Sequence, residues 1–212
     1  NYSKLHKDLS MSIQNEIWVD QGGTFTDIIS IVDGVVKVTK HLTHLKRSSN
    51  LDKSNPINGK RILRKGTTVA TNALLEGTSK PVLLITNRGL GEVWDIGNQC
   101  RDKIFDLYGE RRKRFDVNVL EINGRISFDG QILQKAHLTT SVLKRYRKSG
   151  IQSVAVVLLH GVLCPEEENR IAQIVREAGF LNVSVGHQLT PSIGFLKRLT
   201  TTIADAALSP LL

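Results

Sequence analysis

Residues 20–27, Asp20-Gln21-Gly22-Gly23-Thr24-Phe25-Thr26-Asp27, place two glycines, two threonine hydroxyls and two carboxylates within eight positions. Glycine takes positive φ readily and lets its N–H approach a ligand, so Gly22 and Gly23 can form a concavity that binds an anion. Thr24 and Thr26 add hydroxyl donors, and Asp20 or Asp27 can hold a hard cation such as Mg²⁺, directly or through water. These are the parts of a phosphate-handling turn. The same spacing also fits an ordinary Gly-Gly hairpin with no ligand.

Three other stretches carry groups able to do chemistry. Thr67, Thr68, Thr71 and Asn72 alternate with Val69, Ala70, Ala73, Leu74 and Leu75, which reads as a helix with a hydroxyl-rich amino end. Unsatisfied N–H groups there can bind a phosphate or a substrate carboxylate, or one threonine simply caps the helix. Between Asp95 and Leu107, the polar Asn98, Gln99, Arg101, Asp102 and Asp106 sit among Ile96, Ile104 and Phe105, a mixture that suits a pocket lining or a surface connection. His160 ends an apolar strand before Gly161, where ligands gather in α/β sheets; a core histidine satisfied by backbone fits equally. Asn87-Arg88-Gly89-Leu90-Gly91 resembles a shortened dinucleotide loop, but Trp94 occupies the third glycine position and no ribose-binding acid follows. A Rossmann cofactor site is therefore excluded, as are P-loop, zincin and α/β-hydrolase chemistries, whose motifs do not occur.

The elements that must position these groups follow from apolar periodicity. Ile17 to Val19 and Ile28 to Val32 suit two strands joined by the glycine turn, and Asp33-Gly34 turns the chain into a third, Val35 to Val38. His41 to Lys60 is rich in Ser, Asn and Lys and reads as a loop. Arg61 to Lys65 is a short strand before the threonine-rich helix, and Val82 to Thr86 a buried one. A second antiparallel meander is expected over Val119–Ile122, Arg125–Phe128 and Gln131–Leu133, with Asn123-Gly124 and Asp129-Gly130 as turns. Leu138, Val142, Leu143 and Tyr146 make one helix face, and Val154 to Leu159 a strand. Pro165 starts a helix whose Glu166, Glu167 and Glu168 oppose its positive end, and Val183 and Val185 return as a strand, giving a parallel βαβ layer. Thr200 to Leu208 is read as the last helix.

The chain has 212 residues, is 40% hydrophobic and 23% charged, and carries a formal charge of +9, within ordinary globular composition. Its basic residues cluster between Lys37 and Lys65 and at Arg111 to Arg114 without interleaved aromatics, which argues for solvated loops and against a nucleic-acid partner. Cys100 and Cys164 are read as two buried thiols. The longest apolar run is far short of a membrane span and no signal-peptide pattern opens the chain, so a cytoplasmic protein with no membrane partner is expected. Residues 1–14 are polar and aperiodic and read as a disordered tail, with the fold over 15–212. The sequence leaves the oligomeric state open, a homo-oligomer included.

Several stretches together resemble the amino-terminal region of the hydantoinase/5-oxoprolinase family: DQGGTFTD (Asp20 to Asp27), GTTVATNALLE (Gly66 to Glu76), Ile96 to Gln99 with Phe105 to Leu107, His160 to Pro165, Gly179 to Pro191, and Arg198 to Pro210. The resemblance is closest to 5-oxoprolinases. It implies an α/β, actin-like (ribonuclease H-like) ATPase lobe in which a hairpin cradles the phosphates of ATP, and chemistry in which ATP activates an amide oxygen so that water opens a cyclic amide. For 5-oxo-L-proline the products are L-glutamate, ADP and phosphate. On that basis Gly22, Gly23, Thr24 and Thr26, with Thr67 and Thr68, are expected on the nucleotide. Asp20 and Asp27 are expected in catalysis, with Asp20 on Mg²⁺, and Thr71, Asn72, Gln99, Arg101 and His160 on substrate. An N-methylhydantoinase, a subunit of an ATP-dependent ketone carboxylase, and an inactive remnant acting as a binding module are the alternatives. The family has a longer helical stretch where His41 to Lys60 stands, and an acid where Gln188 stands. A more polar pair follows its histidine than Gly161-Val162. The resemblance also implies an incomplete protein that works with a carboxyl-terminal half or subunit.

Overall fold

The computed structural model describes residues 15–32, 34–43, 61–100, 105 and 115–212, and the chain divides into two compact units between Asn72 and Ala73. The tail expected over residues 1–14, the loop expected beyond Thr43, Asp33, Arg101 and the Arg111 to Arg114 cluster lie outside the described residues.

The first unit is a four-stranded sheet of β1 (Asn15–Gln21), β2 (Phe25–Val32), β3 (Val35–Leu42) and β4 (Arg61–Thr67), in the order β3-β2-β1-β4. The hairpin β1–β2 and its continuation β2–β3 are antiparallel, as expected from the two glycine turns. β4 adds on the far side of β1 in parallel. Its strand runs two residues beyond the expected Lys65, so Gly66 and Thr67 end a strand and do not open a helix; α1 (Val69–Glu76) starts after Thr68. Register places Gly66, Asp20, Asp27 and Lys40 side by side in one row across the sheet. The next row is Arg64, Trp18, Ile29 and Val38, in which the Arg64 guanidinium lies 4.6 Å from the Trp18 ring centroid and bonds Glu16 Oε2 at 2.7 Å.

The second unit holds a wholly parallel sheet, β10-β9-β5-β6, built from β5 (Val82–Asn87), β6 (Val117–Ile122), β9 (Ser153–Val156) and β10 (Asn182–Val185). Every residue of β5 and β9 is buried, the pattern of strands covered on both faces. Leu83, Ile85, Val154 and Val156 pack with Leu143 of α3 (Thr140–Lys148) and Ile171 and Val175 of α4 (Pro165–Glu177). Alternation turns Val82, Leu84 and Ala155 to the other face, against Leu199, Ile203 and Ala206 of α6 (Phe195–Leu208). The expected β9–α4–β10 crossover is present, α4 starting at Pro165. Short pieces complete the unit: α2 (Val93–Ile96), β7 (Arg125–Ile126), β8 (Ile132–Gln134), α5 (Gly186–Leu189) and a 3₁₀ turn, Ser209–Leu211.

Four expectations are corrected. The second meander does not form, because β6 pairs in parallel with β5 while only β7 and β8 pair with each other. Val117 and Val119 pack on one core and Leu120 and Ile122 on the other, so burial on both sides outweighs the turn signal of Asn123-Gly124. The last helix starts at Phe195, five residues before Thr200, since Leu199 belongs to its buried stripe. Cys100 is exposed; only Cys164 is buried, and burial pushes its thiol above the ordinary range. Of the three glutamates at the start of α4 only Glu166 is exposed. Glu167 and Glu168 are buried and serve tertiary contacts in place of the helix dipole.

Glu167 accepts from Arg170 at 2.8 and 3.1 Å and from the Ala136 N–H at 3.3 Å. Burial alone raises its carboxyl, but the Arg170 and Ala136 hydrogen bonds, with the charges of Arg170 and Lys135, outweigh it and hold the group below the usual carboxylate range. A carboxyl depressed by folding adds stability above its unfolded value, and that stability is lost as pH falls through the folded value. Glu167→Gln should therefore lower stability at pH 7 by about 1–3 kcal/mol. Urea unfolding at a series of pH values should show the gap closing below about pH 4.

Candidate phosphate-binding turn

The turn between β1 and β2 is closed by the Gly22 N–H donating to the Phe25 carbonyl at 2.9 Å. Thr43, just past β3, holds it from the side: its N–H donates to Thr24 O at 2.9 Å and its hydroxyl to Gly22 O at 2.9 Å. A carbonyl only accepts, so the one Thr43 hydroxyl proton is spent there. Thr26 Oγ1, 3.1 Å from Thr43 Oγ1, must then donate to it. Gly22 and Gly23 are absent from the residues with positive φ, which corrects the expected reason for them. Close approach of neighbouring atoms favours glycine at both positions. A Cβ on Gly22 would lie 3.1 Å from Phe25 O, and one on Gly23 2.9 Å from Asn72 Nδ2.

β4 and α1 bring the second motif to the same place. Thr67 Oγ1 donates to Gln21 O at 3.0 Å and accepts the Val69 N–H at 3.2 Å, so its hydroxyl caps α1 and ties it to β1. Thr68 N–H also donates to Gln21 O, at 3.1 Å. Once these bonds are made, the N–H groups of Gly23 and Thr24 have no partner among the described residues. Asn72 Nδ2 lies beside Gly23, and Thr68 Oγ1 is 4.0 Å from the Cβ position of Gly22. Thr71 is exposed on α1. Two adjacent backbone N–H groups thus lie at a turn that has an amide NH₂ and a hydroxyl beside it, a donor set suited to phosphoryl oxygens.

Asp20 and Asp27 stand directly opposite each other on β1 and β2. Like charges in that relation are unfavourable unless a cation sits near. Lys40 Nζ meets Asp27 Oδ1 at 3.4 Å, while Asp20 has only Gly66 on its other flank. Among the described residues no three His, Cys, Asp or Glu side chains are grouped to hold a metal ion. The row fits Mg²⁺, which keeps most of its waters and takes one or two carboxylates together with phosphate oxygens.

In the second unit the expected substrate residues are placed less together. His160 and Gln99 are the non-glycine residues with positive φ, 58° and 61°, among those described. His160 follows β9, and its Nδ1 is 3.0 Å from Ile126 O. Leu159 N–H donates to Asn87 Oδ1 at 2.7 Å, joining the carboxyl ends of β9 and β5, where strand order switches from β6 to β9. Gln99 is exposed after α2. The Gly89 and Gly91 N–H groups, which a dinucleotide loop would offer to phosphate, donate to Glu121 Oε1 at 3.0 and 2.8 Å. Thr43, Glu168 and Arg198 escaped the sequence reading as site-building residues; nothing local marks Thr43, and Glu168 stands where a dipole partner is expected.

Known proteins agree with this architecture. Nucleotide-free acetone carboxylase, an enzyme of ATP-dependent acetone carboxylation, superposes with TM-score 0.68 at 19% identity over 92% of this chain and 32% of its own. The ATP-dependent caprolactamase of Pseudomonas jessenii gives 0.64 at 27% identity, over 92% and 31%. The fold is thus the mixed α/β arrangement these enzymes share. Residues 16–179 match the hydantoinase/oxoprolinase N-terminal region, and the chain belongs to that family. The 5-oxoprolinase of Dictyostelium discoideum is 31% identical over 99% of this chain, and that of Saccharomyces cerevisiae 28% over 92%. The chain spans about a fifth of the length of these relatives. The alignment to the first runs to 257 residues, so that relative carries residues within the matched stretch that this chain lacks.

Thr43→Val keeps the shape of the side chain but leaves Gly22 O and the Thr26 hydroxyl without their partner. It should destabilise the first unit by about 1–2 kcal/mol, and hydrogen exchange should show faster exchange at Gly22 with little change in β5 and β9.

Proposed function

We infer that this chain is the amino-terminal part of an ATP-dependent cyclic amide hydrolase of the 5-oxoprolinase type, cytoplasmic, acting together with a carboxyl-terminal half or subunit. The observation that carries the reading is the pair of adjacent N–H groups at Gly23 and Thr24, unpartnered among the described residues, at a turn beside Thr68 and Asn72 and at the end of the strands that pair Asp20 with Asp27. Gly23, Thr24, Thr68 and Asn72 would hold the phosphates of ATP, and Asp20 the accompanying Mg²⁺. Bound ATP supplies phosphoryl activation of an amide oxygen, chemistry that depends on positioned donors and charge more than on a covalent nucleophile. In this reading Thr26 and Thr67 shape the turn, and Asp27, neutralised by Lys40, orients groups around Asp20. Thr71, Gln99, Arg101 and His160 stand as contacts of a cyclic amide such as 5-oxo-L-proline.

A second reading has an observation of its own. Acetone carboxylase superposes at least as well as the caprolactamase, and the acetophenone carboxylase gamma subunit of Aromatoleum aromaticum is 27% identical over 92% of this chain. A ketone would then replace the cyclic amide at the same nucleotide site.

ADP release by the chain assembled with its carboxyl-terminal part should rise with 5-oxoproline, and less with hydantoins or ketones. Asp20→Ala should reduce it by about 10²-fold or more. Release stimulated by a ketone alone selects the carboxylase reading, and equal rates for native and Asp20→Ala remove this turn from the mechanism.

A further inference from the structure

A buried polar cluster lies where the chain after β9 meets α4, α5 and α6, next to the His160 corner. Glu168 is fully buried and all its bonds go to N–H donors: Oε1 accepts Leu158 N–H at 2.8 Å, and Oε2 accepts the His187 N–H at 2.8 Å and its Nδ1 at 2.7 Å. Arg198, also fully buried, donates to Leu158 O at 2.6 Å and Ser192 O at 2.9 Å, while its Nε has no partner among the described residues. Burial lowers the Arg198 guanidinium and the neighbouring Glu168 opposes that shift. Two glycines make the cluster possible. A Cβ on Gly161 would collide with Glu168 Oε1, and one on Gly186 would lie 3.3 Å from both Glu168 Oε1 and Arg198 Cγ. Glu168 is therefore clamped in place by backbone on both sides.

That clamp decides the state of His187. A carboxylate only accepts hydrogen bonds, so Nδ1 must carry the proton, and in the neutral ring the lone pair is on Nε2. Nε2 makes no bond among the described residues, and the side chain is 11% exposed. A hub serving stability alone would be complete with backbone donors; here it ends in an imidazole whose basic nitrogen has no partner among the described residues. The position is the carboxyl edge of a parallel sheet, where ligands of α/β proteins bind. His160 at the end of β9 is in the same tautomer, since its Nδ1 faces the Ile126 carbonyl.

We propose that His187, oriented by Glu168, is a catalytic proton acceptor for the N–H of a secondary cyclic amide. The proposal rests on the amide-hydrolase reading above. Activation of a secondary amide at oxygen would free its N–H proton: the amide oxygen bonds the transferred phosphoryl group as the bond from phosphorus to the departing ADP breaks, the C=O π pair moves onto that oxygen, the N–H bond breaks and its electron pair forms the C=N bond, and the proton moves to His187 Nε2. The imidazolium is stabilised by Glu168, the positioning residue, in the manner of a carboxylate–histidine pair. Among the described residues the charged partner of His187 is Glu168 on α4, which has Arg198 of α6 as its neighbour; α6 also carries Lys197 and Asp205, the latter bonded to Ser184 of β10, and β10 itself holds no charged residue.

Two measurements test it. Nitrogen-detected NMR of His187 in the 212-residue chain should show protonated Nδ1 and bare Nε2; protonated Nε2 at neutral pH overturns the proposal whatever the activity. In the assembled enzyme, His187→Gln should fold like the native chain and reduce 5-oxoproline-stimulated ADP release about 10²-fold or more. A His187→Gln enzyme with the native rate overturns this inference and leaves the amide-hydrolase reading standing. No stimulated release from the native assembly overturns that reading and, with it, the amide proton assigned here, while a bare Nε2 would still support the dyad geometry.

Discussion

The hydroxyl proton of Thr43 goes to the carbonyl of Gly22, and that bond governs what every neighbouring group can do. It closes the side of the glycine turn and makes Thr26 a donor to Thr43, leaving the outward donors to Gly23, Thr24, Thr68 and Asn72. An anion site made of backbone N–H groups is pre-organised, because the donors are held by the turn and need not be ordered when a ligand arrives. The sheet register adds the complementary part. Asp20 arrives beside Asp27 only because β1 and β2 pair with a two-residue side-chain period, and Gly66 on β4 leaves the space over Asp20 open.

The second unit solves a different problem. Its parallel strands are buried on both faces, so their ends must find polar partners within the protein. Asn87 joins the ends of β5 and β9, and Glu168 with Arg198 joins β9 to α4, α5 and α6. These bonds tie down the segments that follow the strands, the turn that carries His160 and the short helix α5 that carries His187. The positive φ of His160 is part of that arrangement and marks a residue kept in a strained state by its surroundings.

Much of this was readable from the residues because it depends on local signals. The Gly-Gly hairpin, the Pro165 helix start and the β9–α4–β10 crossover each follow from turn chemistry or periodicity within a dozen or so residues. The misreadings share one cause. β6 looks like a hairpin strand until its two apolar faces find separate cores. Thr200 looks like a helix start until Leu199 packs against β5 and β9, and Glu168 looks like a dipole partner until α4 docks. Thr43 carries no signal because its partner, the Gly22 carbonyl, is 21 residues away. Tertiary partners decide these positions, and single-sequence patterns do not contain them.

The account turns on the Gly23 and Thr24 N–H groups meeting phosphate. Backbone amide NMR of the chain during titration with Mg²⁺ and a non-hydrolysable ATP analogue measures that directly. The account predicts that the Gly23 and Thr24 amide resonances move most, with Thr68 and the Asn72 side-chain amide following. The Gly22 N–H, already committed to Phe25, should move least within the turn. Nucleotide-dependent shifts elsewhere with Gly23 and Thr24 unmoved would contradict it.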